Sequence, residues 1–69
     1  MISDSEVLSA IAVLKAYAAQ VKEERGNLYW DALQSGNEEF ANIHLKKFQA
    51  ANYIEQQCPN LMQWYRDSK

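Results

Sequence analysis

The apolar residues in the first half of the chain recur with the period of one amphipathic α-helix. The central row consists of Val7, Ile11, Leu14, Ala18 and Val21, with spacings of four and three, and Ala10 and Tyr17 widen it. Residues three and four apart share one side of an α-helix, so the pattern predicts a helix with a broad apolar face.

The start of this helix carries two sequence signals. Ser3 and Glu6 have the spacing of a capping box, in which the hydroxyl and the carboxylate bind free backbone N–H groups. Ile2 and Val7 occupy the positions of a hydrophobic staple around the cap. Asp4 adds negative charge at the positive end of the helix dipole. We therefore expect the helix to begin at about residue 4.

The end of the first helix has two alternatives. Gly26 and Asn27 could close one helix and open a short second helix from about residue 28 to residue 34. Alternatively, the pattern continues through Leu28 and Ala32, and one helix spans about residues 4 to 34. We favour the continuous helix, since an interior glycine costs only about 1 kcal/mol relative to alanine. Both alternatives at Gly26 agree with the sequence.

The second half of the chain predicts a turn and further helix. Ser35, Gly36 and Asn37 combine a left-handed cap position with an N-cap residue, which predicts a turn at residues 35–37. A helix from about residue 38 to residue 57 follows, with an apolar arc that consists of Phe40, Ile43, Phe48, Ala51 and Ile54. Pro59 is expected to interrupt it, so that residues 60–67 form either a kinked continuation of this helix or a separate short last helix.

These elements predict a single all-α domain over residues 1–69. The favoured architecture is an antiparallel helical hairpin with a short C-terminal helical extension. One hairpin leaves its apolar rows half covered, so two copies could dimerise into a four-helix bundle. A compact monomer of three or four helices is the alternative.

Composition narrows the classes of protein. Nine acidic and seven basic residues give a net charge of −2, which disfavours binding that depends on neutralising nucleic-acid phosphates. No apolar run approaches the roughly 18 residues of a membrane span. The start of the chain lacks the positive segment of a signal peptide, and Cys58 is the single cysteine. We therefore expect a reduced, cytoplasmic protein away from the membrane.

The sequence offers no constellation for catalysis, a metal or a cofactor. Its single histidine, His44, is fourteen residues from Cys58 on one predicted helix, which separates them by about 21 Å. A zinc site needs four close ligands, and a nucleophile needs a base within hydrogen-bond reach. We therefore predict a protein without enzymatic activity and without a bound cofactor.

Three polar residues fall inside or beside the apolar arc of the second helix. They are His44, Lys47 and Glu55. Such residues can extend their charged ends to solvent, or they can make polar contacts across a subunit interface. They are candidate polar residues of a dimer face.

Two aromatic pairs are the candidate contacts for a protein partner. Tyr29 and Trp30 should lie near the turn, and Trp64 and Tyr65 near the other end of the hairpin. These rings either seal the ends of a small core or anchor a partner, a task that suits Trp and Tyr.

The leading hypothesis is a small interaction or regulatory module, of a size that fits an accessory protein of a phage or mobile element. The first alternative is a dimeric nucleic-acid-binding regulator that uses Lys15, Lys22, Arg25, Lys46 and Lys47. The second is a structural subunit of a larger assembly.

Overall fold

The fold is a hairpin of two long antiparallel helices, seen in a computed structural model that describes residues 2–68. Helix α1 spans Asp4–Gln34 and helix α2 spans Glu38–Asp67. They pack side by side into a rod with extents of 51 × 16 × 14 Å. This confirms the all-α hairpin, and the described residues form no third packed helix.

Both helices begin at the predicted caps. The Ser3 hydroxyl accepts a hydrogen bond of 3.2 Å from the backbone N–H of Glu6. The side-chain oxygen of Asn37 accepts one of the same length from the N–H of Phe40. Each bond satisfies an N–H group that has no partner within its own helix.

The turn between the helices depends on Gly36. This residue has a φ of +74°, in the left-handed region that favours glycine. The N–H of Gly36 donates to the carbonyl of Leu33, and the N–H of Asn37 donates to that of Ala32. This pair of bonds is the Schellman motif, which closes the end of α1 and reverses the chain direction.

Helix α1 runs through Gly26 without a break, so the continuous alternative is the one observed. Gly26 lies against α2 beside the ring of Phe48. A β-carbon added at Gly26 would meet two Phe48 ring carbons at 3.5 Å, an ordinary contact distance. Packing against α2 therefore holds this segment helical despite the low helix propensity of glycine.

Replacing Gly26 by alanine is expected to stabilise the hairpin by about 0.5–1 kcal/mol, because alanine has the higher helix propensity and fits beside Phe48. Urea unfolding followed by circular dichroism measures the change. Gly36→Ala is the matched control and should lose about 1 kcal/mol, since its positive φ strains any β-carbon. A loss of stability in Gly26→Ala would show that the glycine is needed for close packing.

Of the two alternatives at Pro59, the separate last helix is wrong and the continuation of α2 is observed. Helix α2 continues through Pro59 to Asp67, so residues 60–67 are its last turns and not a separate helix. Proline cannot donate to the carbonyl of Glu55 one turn earlier, and its ring crowds that carbonyl. The row of Ile54, Cys58 and Tyr65 stays in phase across the proline, and Cys58 is completely buried against α1. The packing of Cys58 therefore outweighs the low helix propensity of Pro59.

The interior of the hairpin is built from small side chains. The buried residues among those described are Ala18, Ala32, Ala41, Ala51 and Cys58. Small residues along the seam allow two helices to approach closely. The larger apolar side chains of residues 2–68 are all half-buried or exposed, so one copy of the chain has no large-residue core.

Candidate protein-binding surfaces

An apolar groove runs along one side of the hairpin, between the two helices at the middle of their length. It has a volume of about 380 Å³. Its lining residues are Leu14, Tyr17, Ala18, Val21, Arg25, Lys47, Ala50, Ala51 and Ile54. Tyr17, Leu14 and Ile54 form exposed walls, and the buried methyl groups of Ala18 and Ala51 form the floor. The groove offers apolar contact area, with cationic side chains only at the end nearer the turn.

The groove continues along both helices as two apolar rows, which together we call the groove face. The α1 row consists of Ala10, Leu14, Tyr17, Val21 and Leu28, and the α2 row of Ile43, Ala50, Ile54 and Leu61. Spacings of three, four and seven keep each row on one side of its helix. None of these nine residues is buried in the hairpin. The face is therefore long, apolar and uncovered in one copy.

The breadth of the sequence pattern was the signal for the groove face. Ala18 and Tyr17 belong to the same predicted stripe, yet Ala18 is buried against α2 and Tyr17 is 64% exposed. A single neighbouring helix covers only part of a stripe this wide. The other part remains available, as expected for an apolar row that one hairpin leaves half covered.

Two of the candidate dimer-face residues make contacts within their own chain. The Glu55 carboxylate pairs with the Lys22 ammonium at 2.6 Å. The His44 Nδ1 lies 3.3 Å from a guanidinium nitrogen of Arg25. Lys47 lines the groove and is exposed. Cross-helix pairing thus accounts for His44 and Glu55 without a second subunit, while Lys47 stays a candidate for an intersubunit contact.

The first aromatic pair forms a surface patch near the turn. Trp30 is 62% exposed, and its ring centroid lies 6.2 Å from that of the half-buried Tyr29, with the two planes tilted by 59°. Leu33, three residues later, is also exposed. We call Tyr29, Trp30 and Leu33 the Trp30 patch. Trp30 follows Val21 by nine residues, which is about 180° around α1, so its indole ring lies away from the groove face.

The second aromatic pair lies at the opposite end of the hairpin and has a divided role. The Tyr65 hydroxyl donates a 2.8 Å hydrogen bond to the Asp4 carboxylate and so joins the end of α2 to the start of α1. Trp64 is 66% exposed. Tyr65 therefore holds the two helix ends together, and Trp64 is the member of this pair with most of its surface available.

His44 and Cys58 are the two side chains that were considered from the sequence as metal ligands or catalytic groups, and both lie within residues 2–68. Within that range, no three His, Cys, Asp or Glu side chains gather where they could hold a metal ion. His44 lies beside Arg25, while Cys58 is a free thiol with no exposed surface. Neither helix, over its described length, has an apolar run long enough to cross a bilayer.

Comparison with known proteins adds no assignment. No family model, curated protein or solved structure matches this chain. Its function is therefore inferred from the surfaces of the hairpin alone.

Proposed function

We propose that this chain is a small interaction or regulatory module, without catalytic activity of its own, that binds a protein partner through the Trp30 patch. The observation that carries the proposal is the exposure of Trp30, 62% of whose surface faces solvent. Tryptophan is enriched among the residues that dominate binding energy at protein interfaces, because it buries a large area with little loss of rotamer freedom.

The surroundings of Trp30 support an anchoring role. Tyr29 is half-buried and supports one side of the indole ring, which limits the freedom that binding would remove. Leu33 extends the apolar area by one helical turn. Asp31 is the charged residue next in sequence, and no Lys or Arg occurs between Arg25 and Lys46. The chemistry fits a partner with an apolar pocket and a basic rim.

The contacts of the basic residues weigh against the nucleic-acid alternative. Lys22 is engaged with Glu55, and Arg25 lies against His44. Lys46 and Lys47 are consecutive on α2 and point about 100° apart. Lys15, Lys22 and Arg25 share one side of α1, but two of these three cations are engaged within the hairpin. This row therefore offers little charge for neutralising phosphates along a duplex. A cytoplasmic location stays a prediction.

A photo-crosslinking experiment tests the proposal in cells of the native host. A photoreactive phenylalanine analogue at position 30 is expected to crosslink one defined partner, identified by mass spectrometry. The same analogue at position 53 is the matched control, because Tyr53 is an aromatic residue of similar exposure, 64%, on α2.

Binding measurements with the purified partner then give the size of the effect. Trp30→Ala is expected to weaken binding about 10-fold or more, as truncation of an interface anchor does. Tyr53→Ala should leave the affinity unchanged, and both variants should keep the helical spectrum. Equal crosslinking from positions 30 and 53, or unchanged affinity in Trp30→Ala, would contradict the proposal.

A further inference from the structure

The hairpin is a single layer of two helices, and stable domains usually pack two layers around a core. Its radius of gyration is 15.7 Å, against about 11 Å for a compact domain of 69 residues. Half-buried or exposed apolar side chains line the groove face from Ala10 to Leu28 on α1 and from Ile43 to Leu61 on α2. The groove face is therefore long enough to be the surface that a second layer of helices covers.

The accessible surface area of the chain indicates how much area such a second layer would cover. The accessible surface is 5304 Å² for a mass of 8.0 kDa. A compact monomer of this mass exposes about 4,450 Å². The hairpin therefore exposes about 850 Å² more, close to the roughly 800 Å² per partner that a standard stable interface buries. One further copy of the hairpin is enough to cover the excess.

The groove lies where a two-fold axis would have to pass. Its α1 residues run from Leu14 to Arg25 and surround residue 19, the midpoint of α1. Ala50 and Ala51 lie beside them, close to the middle of α2. If a two-fold axis crosses the helices at mid-length, each copy meets the same surface of the other, as an isologous interface requires. The alanines at this point let the helices approach closely.

The charge distribution selects between two orientations of such a pair. Residues 26 to 45, which surround the turn, carry Asp31, Glu38 and Glu39 and no Lys or Arg. With the two turns at the same end, six carboxylates would share one end of the bundle. With the turns at opposite ends, the two acidic segments are separated by most of the 51 Å length of the hairpin. Like-charge repulsion favours the second orientation.

We propose that the groove face is the interface between two copies of this chain, which form a four-helix bundle with their turns at opposite ends. The two-fold axis passes beside Ala18 and Ala51. Tyr17 of one copy then lies next to Val21 of the other, and Ile43 of one copy lies near Leu61 of the other. Neighbouring helices run antiparallel throughout, as in an up-down bundle.

The mass in solution is the first test. Light scattering of the purified full chain at micromolar to millimolar concentration is expected to give twice the chain mass of 8.0 kDa. Tyr17→Glu should raise the dissociation constant of the dimer about 100-fold or more, because it places an unpaired charge in the apolar interface of each copy. Tyr53→Glu is the matched control, since Tyr53 has the same 64% exposure. It should remain dimeric, because Tyr53 lies about 60–100° around α2 from the residues of the α2 row, on the side away from α1.

Ala50→Glu provides a second groove variant at an exposed position and keeps the test usable if Tyr17→Glu does not fold. A helical wild-type chain with the mass of a monomer would overturn the proposal. So would dimers that persist in every folded groove variant.

The orientation has its own measurement. Spin labels on Gln34→Cys, next to the turn, are expected about 45 Å apart in the dimer, because residue 34 is fifteen residues from the α1 midpoint. Turns at the same end would bring the labels within about 20 Å, and that result would reject the proposed arrangement. The wild-type chain controls for labelling of Cys58, which is completely buried.

The proposed dimer and the proposed role of Trp30 can be contradicted independently of each other. Trp30 lies about 180° from Val21 around α1, so Trp30→Ala should leave the mass of the dimer unchanged. A monomeric chain that still crosslinks from position 30 would overturn only the dimer. A dimer that crosslinks nothing from position 30 would overturn only the partner proposal.

Discussion

Replacing Ala51 by aspartate is expected to unfold most of the hairpin. Ala51 is 5% exposed and lies on the seam where α2 packs against α1. A carboxylate there loses its hydration, which costs about 3 kcal/mol or more. The exposed Lys47, one turn earlier in the same groove, recovers little of this cost, because an exposed ion pair is worth less than about 1 kcal/mol. A core in a chain this small supplies only about 3–5 kcal/mol. The penalty is therefore comparable with the whole stability of the fold.

Circular dichroism with urea titration measures the effect against a matched variant. Ala16→Asp makes the same substitution at an exposed alanine in the middle of α1. It should cost only the difference in helix propensity, about 0.5–0.7 kcal/mol. Equal losses in the two variants would mean that Ala51 is not packed between the helices, and the hairpin geometry would be wrong.

The helices themselves were predictable because their signals are local. The caps at Ser3 and Asn37 use side chains three residues away from the backbone N–H groups that they satisfy. The turn at Gly36 uses backbone bonds that span three and five residues. The continuity of the helices through Gly26 and Pro59 was harder to predict, because at both positions contact with the opposite helix outweighs the low helix propensity of the residue. The methyl-sized gap beside Phe48 and the complete burial of Cys58 depend on atoms far away in sequence.

The surfaces were predictable in kind but not in detail. The apolar stripe on α1 is too broad for one neighbour, and that breadth alone indicates a half-covered face. The sequence could not separate the buried Ala18 from the exposed Tyr17, since that division depends on the rotation of α1 against α2. The partners of His44 and Glu55 also lie on α1, nineteen and thirty-three positions away.

The two proposed surfaces together would set the valency of the protein. Trp30 lies eleven residues beyond residue 19, the midpoint of α1, so the two-fold axis would place two Trp30 patches about 33 Å apart along the bundle. A partner with two equivalent sites at that spacing would gain affinity through the second contact. A partner with one site would bind each end of the dimer independently.

Replacing Pro59 by alanine is expected to stabilise the hairpin by about 2 kcal/mol. Proline is about 3 kcal/mol less favourable than alanine inside a helix, and Pro59 lies within the unbroken α2. Alanine would restore a donor for the carbonyl of Glu55 and remove the ring that crowds it. Pro59 is exposed, so the change sacrifices little packing. The more flexible unfolded chain of the variant offsets about 0.4–1 kcal/mol of this gain.

Thermal unfolding should make this gain visible as a rise of about 10 °C, since 1 kcal/mol shifts the Tm of a domain this size by about 4–8 °C. Gln56→Ala, an exposed substitution in the same helix, is the control and should change the stability by less than about 0.5 kcal/mol. If Pro59→Ala gives no increase, the final turns of α2 do not form one helix with the preceding residues in solution. Because the pairing of Tyr65 with Asp4 depends on that continuity, a rise in Tm would also support the closed end of the hairpin.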